Sequence, residues 1–288
     1  MIILDLNQTM ISNLMAQLGS HTNIELKEDL LRHMVLNAIR GYRSKFVKQY
    51  GELIIASDNK HYWRRDAFPY YKAHRKSWRE QSELDWNAIW TAMNNIKDEL
   101  RTVFPYKYID VEGAEADDII GTLCHEHGRE LNSGEQILIL SGDKDFVQLQ
   151  VYANVNQYDP VRKKWIKNSN PVKFLYEHIL SGDRGDGIPN VLSKDDCFIN
   201  GRQKPLRKTF IEKVTVNDDK GYRADLPDEE TKRNFSRNEM LVDLSKTPDN
   251  IKLDILEEYS KPTNSRDRLF NYFIEKKLKN LVEHIGDF

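Results

Sequence analysis

Short apolar runs alternate along the chain with longer stretches whose apolar residues recur at helical spacing. Residues 2–6 form a buried run ending at Asp5, and residues 53–57 form a second ending at Asp58. Runs at 106–110 and 136–141 complete four predicted strands, the last leading into Gly142-Asp143-Lys144-Asp145. Between them, Leu26, Leu30, Met34, Ala38, Tyr42 and Phe46 predict a helix over 26–48, with Gly51 just beyond it. Ile89, Met93, Ile96 and Leu100 predict another over 84–104, stopped by Pro105, and a third covers about 115–131. Strands alternating with helices imply right-handed crossovers and a mostly parallel sheet. After about residue 170 helices dominate: 171–180, 205–213, 229–244 and 266–285, with polar connections at 183–204 and 217–228. The expected architecture is therefore α/β. An α/β domain spans 1–170, and residues 59–82 interrupt it as a basic segment without period. A smaller helical region covers 171–288.

In a parallel sheet the carboxyl ends of the strands line one crevice, and acids collect there. Asp5 and Asp58 follow the first two strands, Glu115, Asp117 and Asp118 open the third helix, and Asp143 and Asp145 follow the fourth strand. Asp183 and Asp186 lie in Ser-Gly-Asp-Arg-Gly-Asp-Gly-Ile. Each has a plain reading alone, as a helix cap, a first-turn acid suiting the helix dipole, or a turn residue. Together, nine carboxylates in one crevice repel unless cations bind them. Oxygen-only ligands suit Mg²⁺, with Mn²⁺ as the alternative, and two such ions can hold the two sides of a phosphodiester in line.

Charge sharpens the picture. The 288 residues hold 43 Lys+Arg and 45 Asp+Glu, a net charge of −2 that seems to exclude a nucleic-acid partner. Yet residues 60–79 carry seven bases and one acid, interleaved with six aromatics, while 110–118 hold five acids and no base. With the nine candidate ligands set aside, the remainder carries +7. A basic, aromatic cover above an acidic rim suits a polyanion threaded between them. Weaker basic stretches surround Trp165 (Arg162, Lys163, Lys164, Lys167) and precede or lie on the 205–213 helix (Arg202, Lys204, Arg207, Lys208, Lys213). Two cysteines make no disulfide framework and fit a reducing compartment. No apolar run approaches membrane-spanning length, and the N-terminus lacks the pattern of a signal peptide.

The ordered motifs Ile-Leu-Asp5, Ala-Ser-Asp58, Tyr-Lys72-Ala-His-Arg75, Gly113-Ala-Glu115-Ala-Asp117-Asp118, Ser-Gly-Asp143-Lys-Asp145 and Gly182-Asp183-Arg-Gly-Asp186 resemble the flap endonuclease/5′-3′ exonuclease family over nearly the whole chain. Within it they are nearest to the phage enzymes that remove RNA primers. The resemblance implies a PIN-like nuclease core with a helical arch at 59–82. It also implies a Mg²⁺-dependent, monomeric enzyme in the cytoplasm of an infected bacterium, acting on RNA–DNA hybrid, duplex and 5′-flap DNA. By position it implies a first metal site of Asp5, Asp58, Glu115, Asp117, Asp118 and Asp143, and a second of Asp145, Asp183 and Asp186. Tyr71 would stack on a base, Lys72 and Arg75 would hold the scissile phosphate, and Arg64 and Arg65 would contact further phosphates. The 171–288 region would bind duplex, with Lys163, Lys164, Arg202, Lys204, Arg207 and Lys208 as candidate contacts. It is also where a phage single-stranded-DNA-binding protein would dock. The chain starts at its first strand, so sliding-clamp binding through a preceding extension is not expected. One departure stands out. The glycine-rich run that follows the last acids in the family reads Gly187-Ile188-Pro189-Asn190-Val191 here, so the duplex contact made by its backbone amides, and any monovalent ion there, is not expected.

Three other readings fit less. Asp5-Leu-Asn7-Gln-Thr9 resembles the nucleophile motif of aspartyl phosphatases, but Asn7 replaces their acid/base aspartate and a basic arch has no role on a small phosphoester. A noncatalytic nucleic-acid-binding module would have lost acids, and here every position is filled. A small PIN-type ribonuclease would need neither arch nor helical region.

Overall fold

The computed structural model describes residues 1–18, 27–129, 134–218 and 221–288. A six-stranded sheet forms its centre in the order β3-β2-β1-β4-β5-β6. Its strands are β1 (Ile2–Asp5), β2 (Leu53–Ala56), β3 (Lys107–Ile109), β4 (Ile137–Leu140), β5 (Val155–Asp159) and β6 (Lys164–Ile166). All neighbours pair in parallel except β6, which returns antiparallel to β5. The four predicted strands are present; β5 and β6 were not expected. Side chains alternate between two buried faces. Ile2, Leu4, Leu53, Ile55, Leu138 and Leu140 enter one core, while Ile3, Ile54, Ala56, Ile137 and Ile139 enter the other. Apolar residues on both faces are the mark of a sheet covered by helices on each side. The order reverses between β1 and β4, and a crevice opens beyond the carboxyl ends of such a pair. Asp5 and Asp143 stand there.

The helices are α1 (Leu6–Leu18), α2 (Glu28–Tyr50), α3 (Trp63–Ala67), α4 (His74–Glu80), α5 (Trp86–Val103), α6 (Ala116–His127), α7 (Pro171–Ser181), α8 (Cys197–Asn200), α9 (Lys208–Val214), α10 (Glu229–Val242), α11 (Asp249–Ser260), α12 (Leu269–Glu275) and α13 (Lys279–Val282). The helix predicted at 26–48 is α2, with Leu26 outside the described residues, as are the last two residues of the one predicted at 115–131. Helix α5 starts at Asp85, whose carboxylate accepts from the Asn87 and Ala88 amides at 3.0 Å.

The C-terminal part differs from expectation. The helix predicted at 266–285 is broken: Lys277 takes φ +56°, Leu278 N–H bonds Phe273 O at 2.8 Å and Lys277 N–H bonds Ile274 O at 3.1 Å. That is a Schellman stop with lysine where glycine is usual. Residues 215–218 and 221–224 pair as a hairpin where a polar connection was expected. Helices α1 and α11 were also unforeseen. Beyond residue 243 the chain packs onto the sheet domain: Leu244, Ile251 and Ile255 fill one core, and Leu269, Phe273, Leu281 and Phe288 fill the other. Residues 171–242 form the separate layer. There Ile179, Ile188, Leu241 and Val242 meet Phe68 and Tyr71 from the base of the basic segment.

Candidate active site

A cleft of about 1030 Å³ opens at the sheet crevice. Asp5, Asp58, Glu115, Asp117, Asp143 and Asp186 line it, and so do Lys60, Arg65, Lys72, Arg75 and Arg79 from the basic segment. Acids and bases distant in sequence therefore share one space. The expected cover is built from α3, a tight turn over 69–73 and α4, which buries no side chain. Lys72 in that turn adopts φ +55°, costly for a non-glycine residue. Its backbone N–H bonds Asp186 O at 2.7 Å, which fixes the turn to the late acidic loop. Gly187, at φ +72°, permits this approach: a Cβ there would stand 2.9 Å from His74 Nδ1.

The acids divide into two kinds. Asp5 is buried and accepts from the Gln8 N–H and the Ser141 hydroxyl, both at 3.0 Å. Burial, then repulsion by Asp58, pushes its carboxyl from 3.8 up to about 6. Burial and Asp145 push Asp143 up to about 7, and burial and Asp143 raise Asp117 well above the carboxylate range. Asp58 accepts from the Ala116 N–H at 2.7 Å and from the Asn7 amide. No ion pair engages Asp5, Asp58, Asp117 or Asp143 among the described residues.

Asp118, Glu115 and Asp186 are instead held by cations. Arg64, 1% exposed, places Nη1 2.8 Å from Asp118 Oδ2 and 3.1 Å from Glu115 Oε2. Asp118 also accepts from the Glu115 N–H, Trp63 Nε1 and the Thr247 hydroxyl. Although burial would raise it, Arg64 holds the Asp118 carboxyl below the usual range. Lys72 Nζ lies 2.5 Å from Glu115 Oε1, and Arg75 Nη2 lies 2.5 Å from Asp186 Oδ1. Lys72 and Arg75 likewise overcome burial and lower Asp186. The Tyr71 hydroxyl joins Glu115 and Asp186 at 2.9 and 3.0 Å.

Two placements differ from what the sequence led us to expect. Arg64 lies inside the molecule as the counter-ion of two acids, away from any phosphate at the surface. Tyr71 is 2% exposed, edge-on to Tyr62, so its ring has no free face for a base. The acids expected as a second site also separate. Asp145 and Asp183 gather around His178, whose Nε2 is 2.9 Å from Asp145 Oδ1 and 3.8 Å from Asp183 Oδ2, while Asp186 sits with Lys72 and Arg75. Lys144 Nζ also reaches Asp183 at 2.8 Å. His178 was missed; its position one turn before Gly182-Asp183 was the available signal.

The remaining candidates lie outside the cleft. Lys163 and Lys164 are exposed at the β5–β6 turn. Arg202, Lys204, Arg207 and Lys208 are exposed on the loop before α9 and at its start. This loop abuts the segment that departs from the glycine-rich pattern, where Asn190 donates to Lys204 O at 2.8 Å and Arg237 and Asn238 both bond Pro189 O. Cleft-lining residues that sequence reasoning passed over are Trp86, Trp90 and Lys97 on α5. Lys97 Nζ donates to Asp58 O at 3.2 Å, and burial lowers its ammonium.

The unpaired set fits a hard divalent cation. Its donors are carboxylate oxygens, those of Asp5, Asp117 and Asp143 disfavoured as bare anions by burial and mutual repulsion, and Asn7 Oδ1 beside them is buried with no hydrogen-bond partner. The His178 group offers a second, mixed donor set.

Comparison with known proteins identifies the family and the fold. Residues 11–177 match the 5′-3′ exonuclease, N-terminal resolvase-like domain, and residues 169–288 match the T4 RNase H C-terminal domain. Over 296 aligned residues the chain is 32% identical to the Ribonuclease H of Enterobacteria phage T4, covering 99% of this chain and 95% of that protein. A 5′-3′ exonuclease of Buchnera aphidicola is 28% identical over 53% of this chain and 50% of its own length. The fold is shared with a bacteriophage T5 flap endonuclease solved as a pseudo-enzyme–product complex with DNA and metal ions. That match has TM-score 0.60 and 16% identity, over 90% of this chain and 99% of the other. With the resolvase-like core and the C-terminal domain both matched, the chain belongs to the 5′-3′ exonuclease family and is a nuclease of the T4 ribonuclease H type.

Proposed function

We propose that the protein is a Mg²⁺-dependent 5′ nuclease that removes RNA primers and adjoining DNA from lagging-strand fragments, and cuts 5′ flaps, in the cytoplasm of a phage-infected bacterium. The observation that carries this reading is the cleft itself: unpaired, desolvated carboxylates on one wall and a cationic, aromatic segment on the other. The gap between them suits a phosphodiester strand. The phage T4 relative is named a ribonuclease H, and the T5 structure holds DNA and metal ions; both support the substrate class and the cofactor.

Asp5, Asp58, Asp117 and Asp143 are the residues that would hold a first Mg²⁺, and Asp145, Asp183 and His178 a second. When bound, Mg²⁺ supplies charge neutralisation and Lewis-acid polarisation to phosphodiester hydrolysis. The chain supplies the rest. Despite burial, Asp186 and Glu115 keep the Lys72 ammonium protonated far above neutrality, so Lys72 acts as a fixed positive charge and not as a base. Arg75 adds a planar fork of donors at the same wall. A phosphate entering the cleft competes with Glu115 and Asp186 for these N–H groups and gains their positive field in a desolvated setting. Arg64 and Tyr71 touch no substrate. They position Glu115, Asp118 and Asp186, which in turn aim Lys72 and Arg75.

The test uses 5′-labelled RNA–DNA hybrid, nicked duplex and 5′-flap DNA, each with Mg²⁺ or EDTA. Short labelled products from the 5′ end that require the metal are expected. Absence of cleavage on all three, with turnover of p-nitrophenyl phosphate, would overturn the reading in favour of a phosphatase.

A further inference from the structure

One wall of the cleft carries no carboxylate, and only Lys97 on it touches an acidic residue, at the Asp58 carbonyl. Trp86, Trp90, Met93, Asn94 and Lys97 line it from a single face of α5. Their spacing of four, three, one and three residues keeps them on one helical stripe. Lys97 anchors the stripe beside Asp58, so at about 1.5 Å per residue Trp90 stands roughly 10 Å along the helix from the acids. A neighbouring nucleotide of a bound strand reaches that far. The Trp86 and Trp90 rings lie 5.9 Å apart and inclined at 33°, forming a shelf. Trp90 is 39% exposed, and Trp78, which lines the same cleft from α4, is 56% exposed. Trp86 Nε1 is buried without a hydrogen-bond partner. Large apolar faces left open beside a polar site mark a ligand surface. Tyr71, meanwhile, is enclosed and cannot supply the stacking face expected of it.

We infer that the Trp86–Trp90 shelf, closed by Trp78, is a nucleobase-binding subsite that takes an unpaired base of the strand being cut, close to the scissile phosphate. The inference rests on the nuclease reading. Continuity with the acid-lined cleft and the flanking cations Lys60, Arg65 and Arg79 identify the occupant as a nucleotide within a strand. Stacking on tryptophan accepts any base, so the subsite selects for single-stranded character and not for sequence.

The test measures binding of labelled 5′-flap DNA in Ca²⁺, using wild type, Trp90→Ala and Trp90→Phe, with flaps carrying bases or abasic sites. Loss of one stacked base weakens binding about tenfold. Trp90→Ala is expected to show that loss on the base-bearing flap, Trp90→Phe to recover most of it, and wild type to show a similar loss on the abasic flap. Trp90→Ala with the abasic flap should lose no more than either change alone. Equal affinity of wild type for both flaps, or losses that simply add, would overturn the subsite. Wild type that cuts flaps in Mg²⁺ but ignores their bases refutes this inference alone; wild type that cuts nothing refutes the nuclease reading beneath it.

Discussion

Two sets of carboxylates meet at one crevice, with Asp117 and Asp118 adjacent in sequence, and they behave oppositely. Asp117 forms no ion pair among the described residues and its carboxyl is driven up by burial and by Asp143; Asp118, its neighbour, is enclosed by Arg64 and driven down. Asp5 and Asp143 follow Asp117, and Asp186 follows Asp118. Desolvation raises all five, though Asp117, Asp143 and Asp186 are only half-buried, so a close internal cation is what separates them. A buried anion without a counter-ion is unstable and calls for an outside cation. On the proposed reading the unpaired set holds the metal, and the paired set is a frame that aims Lys72 and Arg75 at the space above it.

The largest effect that would break this division is Asp143→Asn, expected to abolish Mg²⁺-dependent cleavage while leaving the circular-dichroism spectrum and duplex binding unchanged. Turnover near wild type would show that the unpaired set is not the metal site. Lys72→Ala should lower single-turnover cleavage by about 10²–10³-fold, the scale of removing one preorganised donor at developing charge, with a smaller loss of thermal stability than Arg64→Leu, because Arg64 and Arg75 still pair with Glu115 and Asp186. An unchanged rate would remove Lys72 from the site.

Arg64→Leu addresses the frame. It leaves Asp118 buried without its counter-ion and Glu115 with Lys72 alone, so urea unfolding should show a loss of about 3–5 kcal/mol. A loss confined to activity, at full stability, would return Arg64 to a direct role on phosphate.

The smallest effect concerns pH. Carboxyls raised from 3.8 to about 6 and 7 favour the folded state fully below pH 4, and that contribution is lost as pH climbs through 6 and 7. Mg²⁺ binds the ionised form and offsets the loss. The melting temperature gained on replacing EDTA with Mg²⁺ should therefore be larger at pH 8 than at pH 5. An equal gain at both values would contradict a metal site built from raised carboxyls.

Much of this was legible in the sequence. Apolar runs ending in Asp5, Asp58 and Asp143 place those acids at strand ends, and strand ends of a parallel sheet converge by topology. The basic segment announced itself by composition. Pairing was not legible: periodicity cannot tell that Arg64 turns inward while Arg65, one residue on, stays in the cleft. Tyr71 was enclosed by Asp186, more than a hundred residues away, and no local pattern reports such a contact. Trp86 and Trp90 were hidden because α5 was read for its core stripe of Ile89, Met93, Ile96 and Leu100, and the cleft stripe overlaps it at Met93. The C-terminal helices read as a separate region because helical period shows that a face is apolar without showing what it covers. Phe273 and Phe288 cover the sheet.

The most direct test of the division between acids is a crystal soaked in Mn²⁺ and measured for anomalous scattering. A peak about 2.1 Å from carboxylate oxygens among Asp5, Asp58, Asp117 and Asp143, with Asp118 still on Arg64, is the predicted result. A peak ligated by Asp118 after Arg64 has left it, or no peak among the unpaired acids, would contradict the account.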